Sequence, residues 1–498
     1  MTVRILRTIA LPAAAVLALV ATACTDDESP AVTTPELDAA FLGYSNPETR
    51  QTVCGNCHVS QQRTWRNTGH AGAWADLQAS GHAASYCNAC HTVNGTSNLA
   101  PDTAGFFSVA AEAQKFYYDV QCESCHGPGA AHVQAPDASQ PLVSIRADTA
   151  LGYGCATCHK GTHTPFVEEW RSSLHNHVQS AVFTNGAPRA DCIGCHTAQG
   201  ALAAWDPNSR YVESSPTAQA QYQPLTCAVC HDPHGTENSG ELRWSIETPD
   251  ADLNLCMKCH QRRSVPDVTS SRGPHAPQGP TLLGESGWLP PNFTYDPNAG
   301  ASTHGTQANP RLCAGCHMEA FSAQDAQGQS FYVVGHRFEA IPCVDANGRP
   351  TGATDCAYNA AARRWTACAG SGCHTSEAQA INFFNLVKGR LEGYRNTLWK
   401  DGDGDGTLDA FPTDSGLVPI VRANYPSDFS TTDNRTSVGE GAFFNASLLG
   451  VDGSSGVHNP FYIEALLQQS ITALRNQYPG LPAPPPEIQA LISRGVRR

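Results

Sequence analysis

The sequence predicts a mainly α chain with little regular secondary structure, wrapped around a stacked array of covalently held prosthetic groups. Three observations predict it. Eight Cys-x-x-Cys-His pentads are spread along the 498 residues. From Cys54 to His260 they recur every 29 to 37 residues. Glycine (43) and proline (34) interrupt most periodic runs, so regular elements should be short and few.

The pentads come first. They comprise Cys54, Cys57 and His58; Cys87, Cys90 and His91; Cys122, Cys125 and His126; Cys155, Cys158 and His159; Cys192, Cys195 and His196; Cys227, Cys230 and His231; Cys256, Cys259 and His260; and Cys313, Cys316 and His317. Cys-x-x-Cys-His is the attachment signal of c-type haem. Two thiolates add across the haem vinyl groups, and the adjacent imidazole becomes the proximal ligand of the iron. Zinc ribbons and redox dithiols share Cys-x-x-Cys but need no trailing His.

Of the 21 cysteines, Cys24, Cys343, Cys356, Cys368 and Cys373 lie outside the pentads. Cys368-Ala-Gly-Ser-Gly-Cys373-His374 is a stretched version of the signal and reads as a ninth haem site. A Cys368–Cys373 disulfide is its alternative. Cys343 and Cys356 then remain as a disulfide pair, which implies an oxidising compartment. A rival ninth site joins Cys356 to Cys373 through a longer loop.

Nine of the 20 histidines follow a haem cysteine, and eleven remain. The only methionines are Met1, Met257 and Met318, and none is well placed as a distal ligand. The haems are therefore expected to be mostly bis-histidine and low in potential. The distal candidates are His70, His82, His132, His175, His234, His275, His304, His336 and His458, with His163 and His177 left over.

The first elements of the chain are a leader and a tether. Arg4 and Arg7 precede an apolar run that ends Ala21-Thr22-Ala23-Cys24. Residues 1–23 thus read as a lipoprotein signal peptide, with Cys24 the lipidated residue. Ordinary cleavage or retention as a membrane helix is the alternative. Residues 24–52, rich in Thr, Ser, Pro and acidic residues, read as a flexible tether. The chain is expected to be exported and lipid-anchored at the outer membrane, on its periplasmic or cell-surface face.

Residues 53–262 form a seven-haem array that contains a duplicated three-haem module, followed by the seventh site. Cys87 and Cys122 recur 105 residues later as Cys192 and Cys227, and Trp65 and His70 recur, again 105 later, as Trp170 and His175. Cys54 matches Cys155 at a spacing of 101. A surface histidine has no reason to recur in register with a haem array, whereas a distal ligand does. Residues 263–395 are loop-rich and carry sites eight and nine. Residues 396–480 hold an acidic loop and a helix that starts at Pro460. Its face is Phe461, Ile463, Leu466, Leu467, Ile471 and Leu474, and Pro479-Gly480 ends it. Residues 481–498 read as a surface tail.

The acidic loop offers Asp401, Asp403, Asp405, Thr407 and Asp409 at calcium-loop positions 1, 3, 5, 7 and 9, with Gly406 at the turn. Position 12 is Pro412 instead of Glu, so Asp414 would have to substitute. This predicts a structural Ca²⁺, with a solvated acidic turn as the alternative.

The chain resembles the bacterial multihaem c-type cytochromes related to tetrahaem cytochrome c and octahaem hydroxylamine oxidoreductases. The matching strings are the pentads, CESCHGPGAAH (Cys122 to His132), CHDPHG (Cys230 to Gly235), HAPQG (His275 to Gly279) and GVHNPFYIEALL (Gly456 to Leu467). The resemblance implies a multihaem cytochrome c fold and makes His132, His234, His275 and His458 distal ligands. Lysine-ligated catalytic haems of some family reductases have no counterpart in this sequence, because Lys160 follows an intact Cys-His motif.

Two functions remain in view. The first is a low-potential electron carrier in the periplasm or at the cell surface. Its partners would be other cytochromes or redox proteins, an extracellular metal oxide, or neighbours in a haem filament. The second is a reductase of a small nitrogen or sulfur oxyanion, which requires one five-coordinate haem. A purely structural role for so many haems is the weakest option. The formal charge of −14 with no basic cluster argues against nucleic acid.

Overall fold

In a computed structural model, the chain divides into a loop-rich N-terminal three-quarters and a helical C-terminal quarter. The structure describes residues 39–95, 104–147, 154–161, 163–207, 209–269, 272–295, 304–305, 308–370, 374–430, 432 and 434–495. The leader, Cys24 and Cys373 lie outside the described residues.

The N-terminal part has helices of four to eight residues, 3₁₀ turns and three two-stranded antiparallel hairpins. Helical turns carry most pentads, because a turn places residues i, i+3 and i+4 on one face. Asn88–His91, Cys122–His126, Ala190–His196, Cys227–Cys230 and Leu312–His317 are α-helical, whereas Cys54–Asn56 and Cys155–Thr157 are 3₁₀. The longest hairpin pairs Phe321–Gln324 with Ser330–Val333, and its turn uses Gly328 at φ 75°.

Part of the expected tether is built into the fold. Phe41 and Tyr44 are buried, and Tyr44–Asn46 pairs with Gln51–Thr52. The Tyr44 hydroxyl donates to Asp119 Oδ2 at 2.7 Å. The buried Glu123 carboxylate also accepts from the Leu42 and Gly43 amides, and the Tyr117 hydroxyl donates to the Phe41 carbonyl, so the segment is docked by aromatic burial and polar bonds together.

The C-terminal quarter is a bundle of Glu377–Leu398, Leu417–Asn424, Val438–Asp452, Pro460–Gln477 and Pro486–Arg494. Leu391, Tyr394, Leu398, Leu448, Ile463, Leu466, Leu467 and Leu474 form its core. Pro460 occupies the first turn of its helix as expected, and Asn459 caps it by accepting from the Tyr462 amide. The tail is not a plain surface segment. Pro486 starts a helix, and Ile488 is buried in the bundle core. Proline in the first turn favours the start of a helix, which the expected surface tail did not include. Among the described residues, no helix is long and apolar enough to cross a membrane.

Candidate functional site

All twenty histidines fall within the described residues, and sixteen of them stand in eight pairs. The ring centres are 6.2 Å apart for His58 and His132, 6.1 Å for His159 and His70, and 6.1 Å for His126 and His234. They are 6.0 Å apart for His196 and His275, and 6.3 Å each for His260 with His175, His231 with His336, His317 with His458 and His374 with His304. Every pair joins one proximal histidine to one distal candidate. An imidazole nitrogen sits about 2 Å from a bound metal and about 1 Å from its own ring centre, so two rings sharing one iron should be roughly 6 Å apart. The spacing therefore fits bis-histidine haem.

His82, His163 and His177 are exposed and are not brought to a proximal ring. His91 faces no second histidine among the described residues. His374, the proximal candidate of the stretched ninth motif, does have its partner in His304.

Hydrogen bonds at Nδ1 orient the rings. Backbone carbonyls accept from His91 (Ala73, 2.9 Å), His126 (Leu142, 2.6 Å), His231 (Gly240, 2.6 Å) and His317 (Phe338, 2.9 Å). On the distal side they accept from His132 (Ser139, 2.7 Å) and His336 (Val334, 3.1 Å). A carbonyl can only accept, so each Nδ1 carries the proton and Nε2 is left for a metal. Burial pushes His159 and His175 down to about 4 and lowers His70, His126, His260 and His317, which keeps these rings neutral as ligands must be. His458 is the exception. Burial pulls it down, but the Asp452 carboxylate at 2.7 Å holds it above its ordinary value.

The duplication read from the sequence is present as repeated bonds. Trp65 Nε1 donates to the Val120 carbonyl at 3.0 Å, and Trp170 Nε1 donates to Leu225 at 2.8 Å. The Val120 amide in turn donates to the His70 carbonyl, and the Leu225 amide donates to His175, both at 3.1 Å. Each tryptophan thus fixes the strap that holds a distal histidine.

Attachment cysteines of different pentads meet in pairs. The thiols of Cys54 and Cys122, Cys155 and Cys227, Cys90 and Cys158, Cys195 and Cys259, and Cys256 and Cys313 lie close enough to interact. Cys125 lies near Cys155 and Cys158, and Cys230 lies near Cys256 and Cys259. His304 of the ninth site lies near His458 of the eighth. The sites therefore run in the order one, three, four, six, seven, eight, nine. Site two branches from four, and site five branches from seven. Sequence spacing carries no signal for this order, because neighbours along the chain are not always neighbours in space.

A cavity of about 1270 Å³ is lined by Cys192, Cys195, His196, Cys259, His260 and His275. Arg189, Arg262, Arg263 and Arg272 also line it, and guanidinium groups suit haem propionates. The donor set and the space both fit sites five and seven. None of the pentad cysteines is in a disulfide. Cys343 and Cys356 do form one, with Cα atoms 6.0 Å apart, and this removes Cys356 from the rival ninth site.

In the acidic loop, carboxylate oxygens of Asp401, Asp403 and Asp405 lie within 4.8 Å of one another. Asp401 accepts from the Gly404 and Gly406 amides, and Asp405 accepts from Thr407. Asp414 is already engaged by the Trp399 indole and the amides of Gly402 and Asp409. It braces the loop from below. Asp409 is held above the usual carboxylate range by desolvation and by its acidic neighbours.

Two family models match. That of cytochrome c554 and c-prime covers residues 53–127, and that of cytochrome c3 covers 147–261. The chain is similar to the multihaem cytochrome MtrA of Shewanella baltica, with 29% identity over 32% of this chain and 46% of the relative. It is also similar to the C-type polyhaem cytochrome OmcB of Geobacter sulfurreducens, with 27% identity over 46% of this chain and 31% of the relative. The chain thus spans less than half the length of these curated relatives. Among solved structures, the outer cell wall cytochrome OcwA matches with a TM-score of 0.45, at 19% identity over 78% of this chain and 75% of the other. An undecahaem cytochrome from the S-layer of Carboxydothermus ferrireducens matches with a TM-score of 0.46, at 19% identity over 79% and 56%.

Proposed function

Because the chain is a bacterial multihaem c-type cytochrome, we propose that it is a low-potential electron conduit with one main line and two side branches. The observation that carries this reading is the contact order of the attachment cysteines. The pairs Cys54–Cys122, Cys155–Cys227 and Cys256–Cys313 bring the attachment residues of main-line sites together. Haem, when bound, supplies reversible one-electron chemistry. The protein supplies two imidazoles at most sites, and bis-histidine ligation keeps potentials below those of methionine-ligated haem. Met257 is blocked as a ligand because it is buried against Leu282 and Leu312.

The finer reading is that nine haems are attached, that Cys24 carries a lipid at the outer membrane, and that electrons enter from another cytochrome. They would leave to a partner redox protein, an extracellular metal oxide or a neighbouring copy. The 401–409 loop would hold a structural Ca²⁺. Two double variants test the conduit. Cys227→Ala with Cys230→Ala removes a main-line site, and Cys192→Ala with Cys195→Ala removes a branch. Electron passage across a single-molecule layer between two electrodes should collapse in the first and stay near wild type in the second. Equal losses in both variants would refute the division into line and branch.

A further inference from the structure

We propose that the site at Cys87, Cys90 and His91 gives its haem a single protein axial ligand and presents the opposite axial position to a small exogenous ligand. The first side branch would then be a ligand-binding terminus. The proposal rests on the pentads holding haem, and it deepens the conduit reading by assigning one station a second role.

Histidine placement carries the argument. Every histidine of the chain is described, and eight proximal rings have a partner at 6.0 to 6.3 Å. His91 has none among the described residues. The three histidines left over, His82, His163 and His177, all point to solvent. Of the methionines, Met257 is spent in an apolar cluster, and Met318 directly follows His317.

The proximal half of this site is nevertheless fully built. His91 ends the Asn88–His91 helix, and its Nδ1 donates to the Ala73 carbonyl at 2.9 Å. Asn94 braces that helix by donating to the Ala89 and Thr92 carbonyls at 2.8 and 3.0 Å. Trp74, next to Ala73, stacks on Tyr118 with ring centres 4.2 Å apart. Contact between the sulfurs of Cys90 and Cys158 joins the site to the main line at site four.

The repeat supplies an internal comparison. Site five is the counterpart of site two, and its branch contact, Cys195 with Cys259, repeats Cys90 with Cys158. Site five receives His275, which follows His260, the proximal histidine of the site it branches from, by fifteen residues. The residue fifteen positions past His159 is Leu174, which has no ligand atom. The two modules share the attachment and the branch but not the second imidazole. A carboxylate or hydroxyl is a poor soft-iron ligand beside imidazole or a π-acceptor. The ligand class that fits is therefore a diatomic or triatomic molecule donating a lone pair from carbon, nitrogen or oxygen.

The test uses the full chain matured with haem. Carbon monoxide should bind the reduced protein at one equivalent per chain, and the oxidised protein should show one high-spin signal over low-spin ones. Cys87→Ala with Cys90→Ala should lose one haem by intact mass and lose the carbon monoxide band with it. His82→Ala should still bind one equivalent. An entirely low-spin protein that takes no carbon monoxide overturns the proposal, and so does binding that survives the Cys87/Cys90 double variant. Uptake that appears only in His82→Ala overturns it too, by making His82 the sixth ligand. Each of these results leaves the conduit standing, whereas a chain without haem removes both readings.

Discussion

Asp452 is the residue that departs most from the rule set by the partners of the other paired histidines. Its side chain is fully buried, and its Oδ1 accepts from His458 Nδ1 at 2.7 Å. Ser454 donates to its other oxygen. Most other ring partners are neutral carbonyls. A carboxylate drives more electron density through the imidazole than a carbonyl does, which stabilises the oxidised metal. Site eight should therefore be lower in potential than its neighbours. Asp452→Asn should move one wave of a redox titration upward and leave the rest in place. The expected size is about tenfold in the oxidised-to-reduced ratio, or about 59 mV for one electron. An unchanged titration would show that the carboxylate only positions the ring. His458 was legible in the sequence, but Asp452 was not. Six residues separate them, and only the turn between two helices brings them together. Eight of the nine distal candidates found a proximal ring for a related reason: histidine is scarce enough in this chain that counting it constrains the answer. His82 has no such constraint beyond the count.

At the scale of elements, the two tryptophan straps are equivalent in geometry and should be equivalent in cost. Trp65→Phe and Trp170→Phe each remove one indole hydrogen bond and leave a carbonyl short of a donor, which costs about 1 to 3 kcal/mol. Thermal unfolding followed by Soret absorbance should show a similar drop for both with haem content unchanged. A loss confined to one strap would mean that the modules are not equivalent. The acidic loop gives a second prediction. If the carboxylates of Asp401, Asp403 and Asp405 hold calcium, the metal at a hundred times its Kd stabilises the fold by about 2.7 kcal/mol. Asp403→Asn should abolish the calcium-dependent rise in Tm, and a wild-type Tm indifferent to calcium would sink the site. The 460–477 helix was legible because proline, an apolar run and Pro479 bracket it. The 377–398 helix was not, since Gly389 and Gly393 lie inside it and polar residues fall on most sides. Its stability comes from Leu391, Tyr394 and Leu398 locking into the bundle, a tertiary effect that no local pattern announces.

For the whole molecule, the division between wire and bundle turns out to be a working connection. The bundle provides His458 to site eight, and the Val457 carbonyl accepts from His304 of site nine. Gln278 reaches the Val451 and Asp452 carbonyls from the other side while also contacting His260. The last stations are thus clamped by a conventional hydrophobic core, and the first seven are held largely by short turns, straps and their own cofactors. Destabilising the core should loosen sites eight and nine before the rest. The attachment motifs were legible in the linear sequence but the route between them was not, since the route depends on which sulfur meets which.

Site four belongs to both copies of the repeat. Cys155 and Cys158 close the first module against Cys125 and Cys90, and Cys155 opens the second against Cys227. Two quartets share one member, like ladder sections that overlap at a rung. A further tandem copy inserted at that rung would lengthen the reach by two stations and one spur, with every junction of a kind already present. Reach in such a molecule is set by copy number, so descendants of different span can arise by recombination alone, with no new joint to invent.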